Sequence, residues 1–136
     1  MSTQPSKTEL GRMGEQIAMQ FLQQNGYTVL ERNVHCGHQE IDLIVADEHA
    51  LVFVEVKTRS CISTQPGRYG RPARAVDRTK QHNLLLAAQA YLRNHPKNGL
   101  CPRLDVVEVY VQSGWTGDVP PTVLKIHHIR NAFGRS

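Results

Sequence analysis

The chain has 136 residues and a mass of 15.3 kDa, which suits one domain with a single hydrophobic core and excludes an assembly of several domains. Hydrophobic residues make up 40% and charged residues 21%, so the disordered, collagen-like and coiled-coil classes are excluded as well. We expect a single domain over residues 1–136 that folds on its own.

The charge is unevenly divided along the chain. Sixteen Lys and Arg against twelve Asp and Glu give +4 in total, but residues 1–58 carry −4 and residues 59–136 carry +8. An acidic half followed by a basic half predicts a cation-binding cluster beside a surface for a polyanion. The alternative is that solvated charges are merely scattered in this way.

Cysteine usage and hydropathy indicate the compartment. Cys36, Cys61 and Cys101 are an odd number without C-x-x-C spacing, which predicts reduced thiols. The run His-Cys-Gly-His at 35–38 lacks a second pair at zinc-ligand spacing, so a zinc site is not favoured. The N-terminus is polar and no stretch is apolar enough for a membrane span, so we expect a cytoplasmic protein with no membrane contact.

The first half of the chain predicts a helix and three strands. Residues 6–9 match a capping box, and apolar residues follow at helical spacing up to Gly26, which predicts a helix over about 7–25. Runs rich in β-formers predict strands over 27–32, 40–46 and 51–58, of which the last two form a hairpin.

The second half predicts a loop, a helix and two strands. Residues 59–72 carry Ser, Gly, Pro and Arg without periodicity and are expected to form a mobile basic loop. Helical spacing resumes over 73–94, and strands are expected at 103–111 and 122–129, before a tail at about 130–136. The order α-β-β-β-α-β-β predicts an α/β fold with a mixed β-sheet and helices packed on the sheet.

The predicted hairpin places charged residues together. If Glu48 and His49 form the turn, Asp42 lies directly across from Glu55, and Glu40 lies across from Lys57. By strand alternation, Ile41, Leu43 and Val45 share an apolar face with Val52, Val54 and Val56. This register is an assumption, because moving the turn by one residue removes the facing pairs.

Two carboxylates that face each other destabilise a hairpin unless something neutralises them. Carboxylate oxygens suit Mg²⁺ or Mn²⁺, which complete their coordination with waters and phosphate oxygens. Such a metal site could support hydrolysis of a phosphodiester bond. In that reaction Lys57 would orient or deprotonate the attacking water, or stabilise the charge at phosphorus. The alternative is a structural one, in which Glu40 and Lys57 form a salt bridge while Asp42 and Glu55 are hydrated at a sheet edge.

The sequence resembles a family of uncharacterised bacterial proteins, the YraN family. The resemblance covers nearly the whole chain and is carried by five segments, at residues 11–15 (Gly-Arg-Met-Gly-Glu), 40–44 (Glu-Ile-Asp-Leu-Ile), 53–59 (Phe-Val-Glu-Val-Lys-Thr-Arg), 103–107 (Arg-Leu-Asp-Val-Val) and 131–133 (Asn-Ala-Phe). One departure is Gln39, which stands where the family commonly has Gly.

The resemblance implies a relative of archaeal Holliday-junction resolvases with a restriction-endonuclease-like fold. The nuclease pattern of that fold maps onto Asp42, Glu55 and Lys57, with Asp42 and Glu55 as metal ligands. An acid on the first helix completes the metal site in related nucleases, which implies this role for Glu15, with a surface position on the helix as the alternative. Glu40 is a further candidate ligand.

A set of basic residues follows the hairpin. We expect them to bind DNA phosphates, and Tyr69 to stack on an unpaired base. The alternative is that these side chains are only hydrated at the surface. For a Lys80 side chain that points toward the sheet, the alternative is that its alkyl part lies along the sheet with the charge at the surface. The set consists of Arg59, Arg68, Tyr69, Arg71, Arg74, Arg78 and Lys80.

Two functions remain open. The first is a nuclease that uses Mg²⁺ or Mn²⁺ to hydrolyse DNA, branched or single-stranded. The second is a module with a nuclease fold that binds nucleic acid or a protein without cutting. A homodimer is expected only by analogy with resolvases.

Overall fold

A computed structural model describes residues 6–36, 39–61, 78–95 and 99–132. In this part of the chain two helices and five strands follow the predicted order α-β-β-β-α-β-β. Their bounds are α1 Lys7–Gln24, β1 Thr28–Cys36, β2 Gln39–Ala46, β3 Ala50–Cys61, α2 Arg78–Asn94, β4 Cys101–Gln112 and β5 Val123–Ile129.

Helix α1 begins at the predicted capping box. The backbone N–H of Glu9 donates to the Ser6 hydroxyl at 3.1 Å, and the Ser6 N–H donates to the Glu9 carboxylate at 3.1 Å. Both bonds satisfy backbone or side-chain groups that the first helical turn leaves open. At the other end Gly26 takes a φ of 94°, a conformation that favours glycine and turns the chain into β1.

The five strands form one sheet in the order β1-β2-β3-β4-β5. Strands β3 and β4 are parallel over their full lengths, and the other neighbours are antiparallel. Parallel neighbours need a crossover connection, and α2 lies in that connection. The predicted mixed α/β sheet with helices packed on it is therefore confirmed.

Each face of the sheet carries its own hydrophobic cluster. On the α1 face, Ala18 and Leu22 pack on valines of the three central strands, and on the α2 face Phe53 packs on Tyr91 with ring centroids 5.8 Å apart. The strand residues of the α1 cluster are Leu43, Val45, Ala50, Val52, Val54, Val107, Val109 and Val111. Those of the α2 cluster are Ile41, Ile44, Leu51 and Phe53.

Two predictions about β2 and β3 are corrected. Strand β3 continues to Cys61, so Arg59 belongs to a strand and not to a loop, because β4 pairs with it as far as Gln112. Ile41 lies on the α2 face together with Ile44, whereas strand alternation placed it with Leu43 and Val45. The remaining part of the predicted basic loop, residues 62–72, lies outside the described residues.

In the described ranges, neither helix is long and apolar enough to cross a membrane.

Candidate active site

A cleft of about 600 Å³ opens where β2 and β3 separate, next to the first turns of α1. The hairpin turn is the predicted one, because the paired residues run from Ala46 and Leu51 to Leu43 and Val54 in the expected register. Toward the start of β2, the pairing with β3 ends at Leu43 and Val54. The lining residues include Glu15, Gln39, Glu40, Asp42, Glu55 and Lys57.

Asp42 occupies the point at which the two strands part. Its carboxylate accepts a hydrogen bond from the backbone N–H of Val56 at 2.8 Å. The Asp42 side chain thus accepts a main-chain hydrogen bond from β3 just where the main chains of β2 and β3 are no longer paired. The bond fixes the Asp42 carboxylate beside Glu55, the residue that continues the register across from it.

An irregularity in β1 lies beside the point where the faces of β2 change. Asn33 takes a left-handed φ of 51° between Arg32 and Val34, which pair with Leu43 and Ile41. Asparagine tolerates this conformation better than most residues. Val34 and Ile41 pack on the α2 cluster while Leu43 packs on the α1 cluster, so the faces exchange at Asp42.

The electrostatics of the cleft reflect crowded carboxylates. The pKa of Asp42 is raised to about 7, first by burial and next by the charge of Glu55, although the Val56 N–H lowers it. Glu15 and Glu40 raise it further. The negative charge of the cleft is therefore only partly compensated by the residues around it.

Lys57 places a positive charge against one of these acids. Its Nζ lies 3.2 Å from Glu55 Oε2, and the lysine side chain is 25% exposed while that of Glu55 is 5% exposed. Glu40 and Lys57 were predicted to face each other across the hairpin, but they do not form an ion pair. Glu40 Oε2 instead lies 3.3 Å from His35 Nε2, because β1 is paired with β2 at this position and Lys57 is drawn to Glu55.

Glu15 reaches the cleft from α1. Burial raises the pKa of Glu15 and the charge of Glu40 adds to this, while Arg32 and a hydrogen bond with Asn33 lower it. The neighbouring Gly14 brings α1 close to the sheet, since a Cβ at that position would lie 1.8 Å from Thr58 Oγ1. The helix thus places Glu15 at the rim of the cleft.

The donor set fits a hard divalent cation with an open coordination sphere. Within the residues that the structure describes, no three His, Cys, Asp or Glu side chains converge closely enough to hold a metal ion. The structure brings Asp42 and Glu55 together and leaves Glu15 and Glu40 nearer the rim. Two carboxylates supplemented by water and substrate phosphate oxygens are a common arrangement for Mg²⁺.

The predicted basic residues are only partly described. Arg59 lies in β3 and Arg78 is the exposed first residue of α2. Lys80 lies within α2, but its side chain is outside the described residues. Outside them as well are Arg68, Tyr69, Arg71 and Arg74.

Two buried acids in β4 escaped the sequence analysis. Asp105 accepts hydrogen bonds from Arg103 at 2.9 Å and 3.0 Å and from the N–H of Asn131 at 2.9 Å, and it lies 2.7 Å from His128 Nε2. Glu108 lies on the opposite face of the strand and contacts Arg59. The available signal was two acids inside an otherwise apolar run, a pattern that requires buried partners.

The sequence comparisons give a consistent result. The family model described as "Uncharacterised protein family UPF0102" matches residues 14–109. A UPF0102 protein of Caldanaerobacter subterraneus is 39% identical over 128 residues, which span 94% of this chain and 97% of the relative. A UPF0102 protein of Chlorobium chlorochromatii is 41% identical over 133 residues, which span 98% of this chain and 97% of the relative.

The structural comparison is weaker. The solved structure of Pyrococcus furiosus SfsA in complex with Ca²⁺ is 11% identical in sequence and gives a TM-score of 0.35. The match covers 90% of this chain and 61% of SfsA. A likeness at this level carries no argument about the function of the present chain.

Proposed function

The chain belongs to uncharacterised protein family UPF0102, the YraN family, and from this premise we propose that it is a divalent-metal-dependent nuclease that hydrolyses DNA phosphodiester bonds. The family resemblance seen in the sequence motifs is thereby confirmed. The order of helices and strands is the one expected from the restriction-endonuclease-like fold that those motifs resemble.

The observation that carries the proposal is the grouping of Asp42, Glu55 and Lys57 in one cleft. Two carboxylates side by side without a cation destabilise the fold, so their placement at an accessible site needs a functional reason. A lysine in contact with one of them adds the positive charge that phosphoryl chemistry requires.

Each residue has a part in the proposed reaction. Asp42 and Glu55 would hold Mg²⁺ or Mn²⁺, with Glu15 and Glu40 at the rim binding its water ligands. When bound, the metal would activate water and stabilise the charge on the phosphate. Lys57, held by Glu55, would orient the attacking water or stabilise the negative charge at phosphorus. The Val56 N–H keeps Asp42 directed into the cleft.

The charge distribution supports DNA as the substrate class. The half of the sequence after residue 58 carries +8, and its first cation, Arg59, lies two residues beyond Lys57 on the same strand. Cations beside a metal site neutralise the phosphates on either side of the bond that is cut.

The experiment is cleavage of labelled branched, single-stranded and duplex DNA by the purified protein with Mg²⁺ or Mn²⁺. Asp42→Ala and Lys57→Ala should each reduce cleavage at least about 100-fold, since each removes a group that acts at the reacting phosphate. Asp118→Ala, at an exposed aspartate in the turn before β5, is the matched control and should cleave normally. Inactivity of the wild type on every DNA, or activity that survives both cleft substitutions, would contradict the proposal.

A second candidate is a nucleic-acid-binding or protein-interaction module that has the fold without the cleavage activity. The absence of a third converging ligand among the described residues favours it. It predicts salt-sensitive DNA binding, no metal-dependent cleavage, and a Glu55→Ala variant that is altered only in stability. The same set of assays therefore separates the two functions.

A further inference from the structure

One face of β3, β4 and β5 carries polar residues in two adjacent rows next to the cleft. The strand registers place Lys57, Glu108 and His127 in one row across the sheet. Arg59, Tyr110 and Lys125 form the next row. Side chains two residues apart share a face, so both rows lie on the same side of the sheet as Glu55.

Glu108 is the buried acid that contacts residues of both rows. Its carboxylate is 0% exposed and accepts hydrogen bonds from Arg59 Nε at 3.2 Å and from the Tyr110 hydroxyl at 3.0 Å. His127 Nδ1 lies 3.4 Å from the same carboxylate. Burial raises the pKa of Tyr110 to about 12, and the bond to Glu108 contributes, so the tyrosine keeps its proton and remains a donor.

Three basic side chains in these two rows remain accessible. Arg59 is 35% exposed and His127 is 36% exposed, and Lys125 is exposed. The Nδ1 atom of His127 is buried, so the exposed part of the ring belongs to its other atoms. The buried Glu108 carboxylate thus holds the Arg59 side chain by a hydrogen bond while part of that side chain stays open to solvent.

We propose that Arg59, His127 and Lys125 form a track that binds the phosphate backbone of a nucleic-acid strand as it leaves the cleft toward β5. The proposal rests on the proposed function, because it takes nucleic acid as the substrate class. Glu108 is a positioning residue in this track and does not touch the substrate.

The dimensions and the charge of the track suit a single strand. Strands β3 and β5 are separated by two inter-strand spacings, roughly 10 Å, which corresponds to about three nucleotides at the rise of stacked bases. The track begins at Lys57, which contacts Glu55 in the cleft, so a strand bound there would be continuous with the proposed reaction site. The negative charge of Glu108 is buried beneath its partners and is not presented to a phosphate.

The test measures binding in EDTA, where no metal-dependent cleavage occurs. A labelled single-stranded oligonucleotide of about 16 nucleotides is titrated with the full chain at several KCl concentrations. Arg59→Gln and Lys125→Gln should each weaken binding about 3- to 10-fold and lower the slope of log affinity against log salt by about 0.7, as expected for one lost phosphate contact on a single strand. Arg93→Gln, at an exposed cation in the last turn of α2, is the matched control and should change neither quantity.

Glu108→Gln tests the positioning role separately. Glutamine keeps the shape of the side chain but loses the charge that holds Arg59, so binding should weaken while thermal melting still shows a folded protein. Arg59→Gln leaves the buried Glu108 carboxylate without its cation, which destabilises the fold. If this variant shows no thermal unfolding transition, the test depends on Lys125→Gln.

The outcomes separate the track from the nuclease proposal. No binding by the wild type at low salt, or a salt slope unchanged by Lys125→Gln in a protein that binds, overturns the track. Cleavage by the wild type in Mn²⁺ together with an unchanged slope leaves the nuclease and removes the track. A reduced slope without any cleavage supports the track and contradicts the nuclease.

Discussion

At the scale of single residues, the acids Asp105, Glu108 and Asp42 differ in the partners of their carboxylates. Asp105 has four contacts with hydrogen-bond donors, and Glu108 has an arginine, a tyrosine and a histidine. Asp42 has one backbone N–H and faces another acid. The first two positions stabilise the native state, whereas the third costs stability.

Asp42→Asn should stabilise the metal-free protein at pH 8. The raised pKa means that the folded state holds a proton that the unfolded chain releases, so wild-type stability falls as pH rises from about 4 to about 7. Asparagine keeps an acceptor for the Val56 N–H but carries no charge. Thermal melting should show a variant several degrees more stable at pH 8 and equal to the wild type near pH 4.

The same variant reports on metal binding. Millimolar Mn²⁺ should raise the melting temperature of the wild type, since a ligand that binds only the native state stabilises it. The shift should be absent in Asp42→Asn and preserved in the control Asp118→Asn. A variant destabilised at pH 8, or one with the full Mn²⁺ shift, would contradict the assignment of Asp42.

Asp105→Asn should have the opposite pH profile. Burial alone would raise the pKa of Asp105, but bonds from His128 and Arg103 outweigh it and the pKa is lowered. Stability from this group is therefore present above about pH 4 and is lost as pH falls through the lowered pKa. The variant should lose roughly 3 kcal/mol at pH 7, because Arg103 is left partly buried without its charge partner.

Urea unfolding at pH 7 and at pH 3 measures this effect. The gap in unfolding free energy between wild type and Asp105→Asn should narrow at the lower pH, because the stability that the charged carboxylate contributes falls as pH falls below the pKa of the unfolded chain. A gap that widens on acidification would show that the bonds to Asp105 do not favour its charged form.

At the scale of elements, the site depends on how α1 approaches β3. The helix packs with Ala18 and Leu22 on valines of the sheet, and it brings Gly14 against Thr58. Thr58 directly follows Lys57, so this close approach of the helix lies beside the cleft. A shift of α1 would move Glu15 away from Asp42 and Glu55.

Gly14→Ala and Gly11→Ala form a matched pair of helix substitutions. The Cβ at position 14 would lie 1.8 Å from Thr58 Oγ1, whereas at position 11 no atom lies within 4 Å. Gly14→Ala should destabilise the fold by about 1–3 kcal/mol through overpacking. Gly11→Ala should be neutral or stabilise it by up to about 1 kcal/mol through helix propensity.

Chemical unfolding of both variants provides the measurement. Thr58→Ala in the Gly14→Ala background should recover part of the lost stability, because it removes the oxygen that the new methyl group meets. Equal stabilities for the two glycine variants would mean that α1 lies farther from β3 than the structure places it.

At the scale of the whole molecule, the parallel pair β3 and β4 forms the centre of the sheet. Each of these strands has a partner on both sides, and their buried side chains reach both faces. Strands β1 and β5 lie at the edges. The candidate catalytic residues come from β2 and β3, so the site is attached to the central part of the sheet and opens where β2 departs from it.

Hydrogen exchange should show this hierarchy. Amides of β3 from Leu51 to Val54 and of β4 from Val106 to Val109 should exchange slowest, because their opening requires disruption of the core. Amides of β5 should exchange faster, as expected for an edge strand. Mass spectrometry on peptic fragments makes the comparison, and faster exchange at β3 than at β5 would contradict it.

Much of the architecture followed from local patterns in the sequence. The capping box predicted the start of α1, and the two-residue turn at Glu48 and His49 predicted the register that places Asp42 beside Glu55. His127 and His128 are consecutive residues of β5 and lie on opposite faces, where they contact Glu108 and Asp105. These features depend on residues that are neighbours in the chain or across one tight turn.

Other features were decided only by tertiary structure. Ile41 lies on the α2 face beside the left-handed Asn33 of the neighbouring strand, and the contact of Arg59 with Glu108 joins residues 49 positions apart. A sequence pattern assumes regular strands and reports no long-range charge partners, so neither could be read locally. The sequence by itself determined which residues could hold a metal, whereas packing of α1 and the parting of β2 from β3 decided how closely they meet.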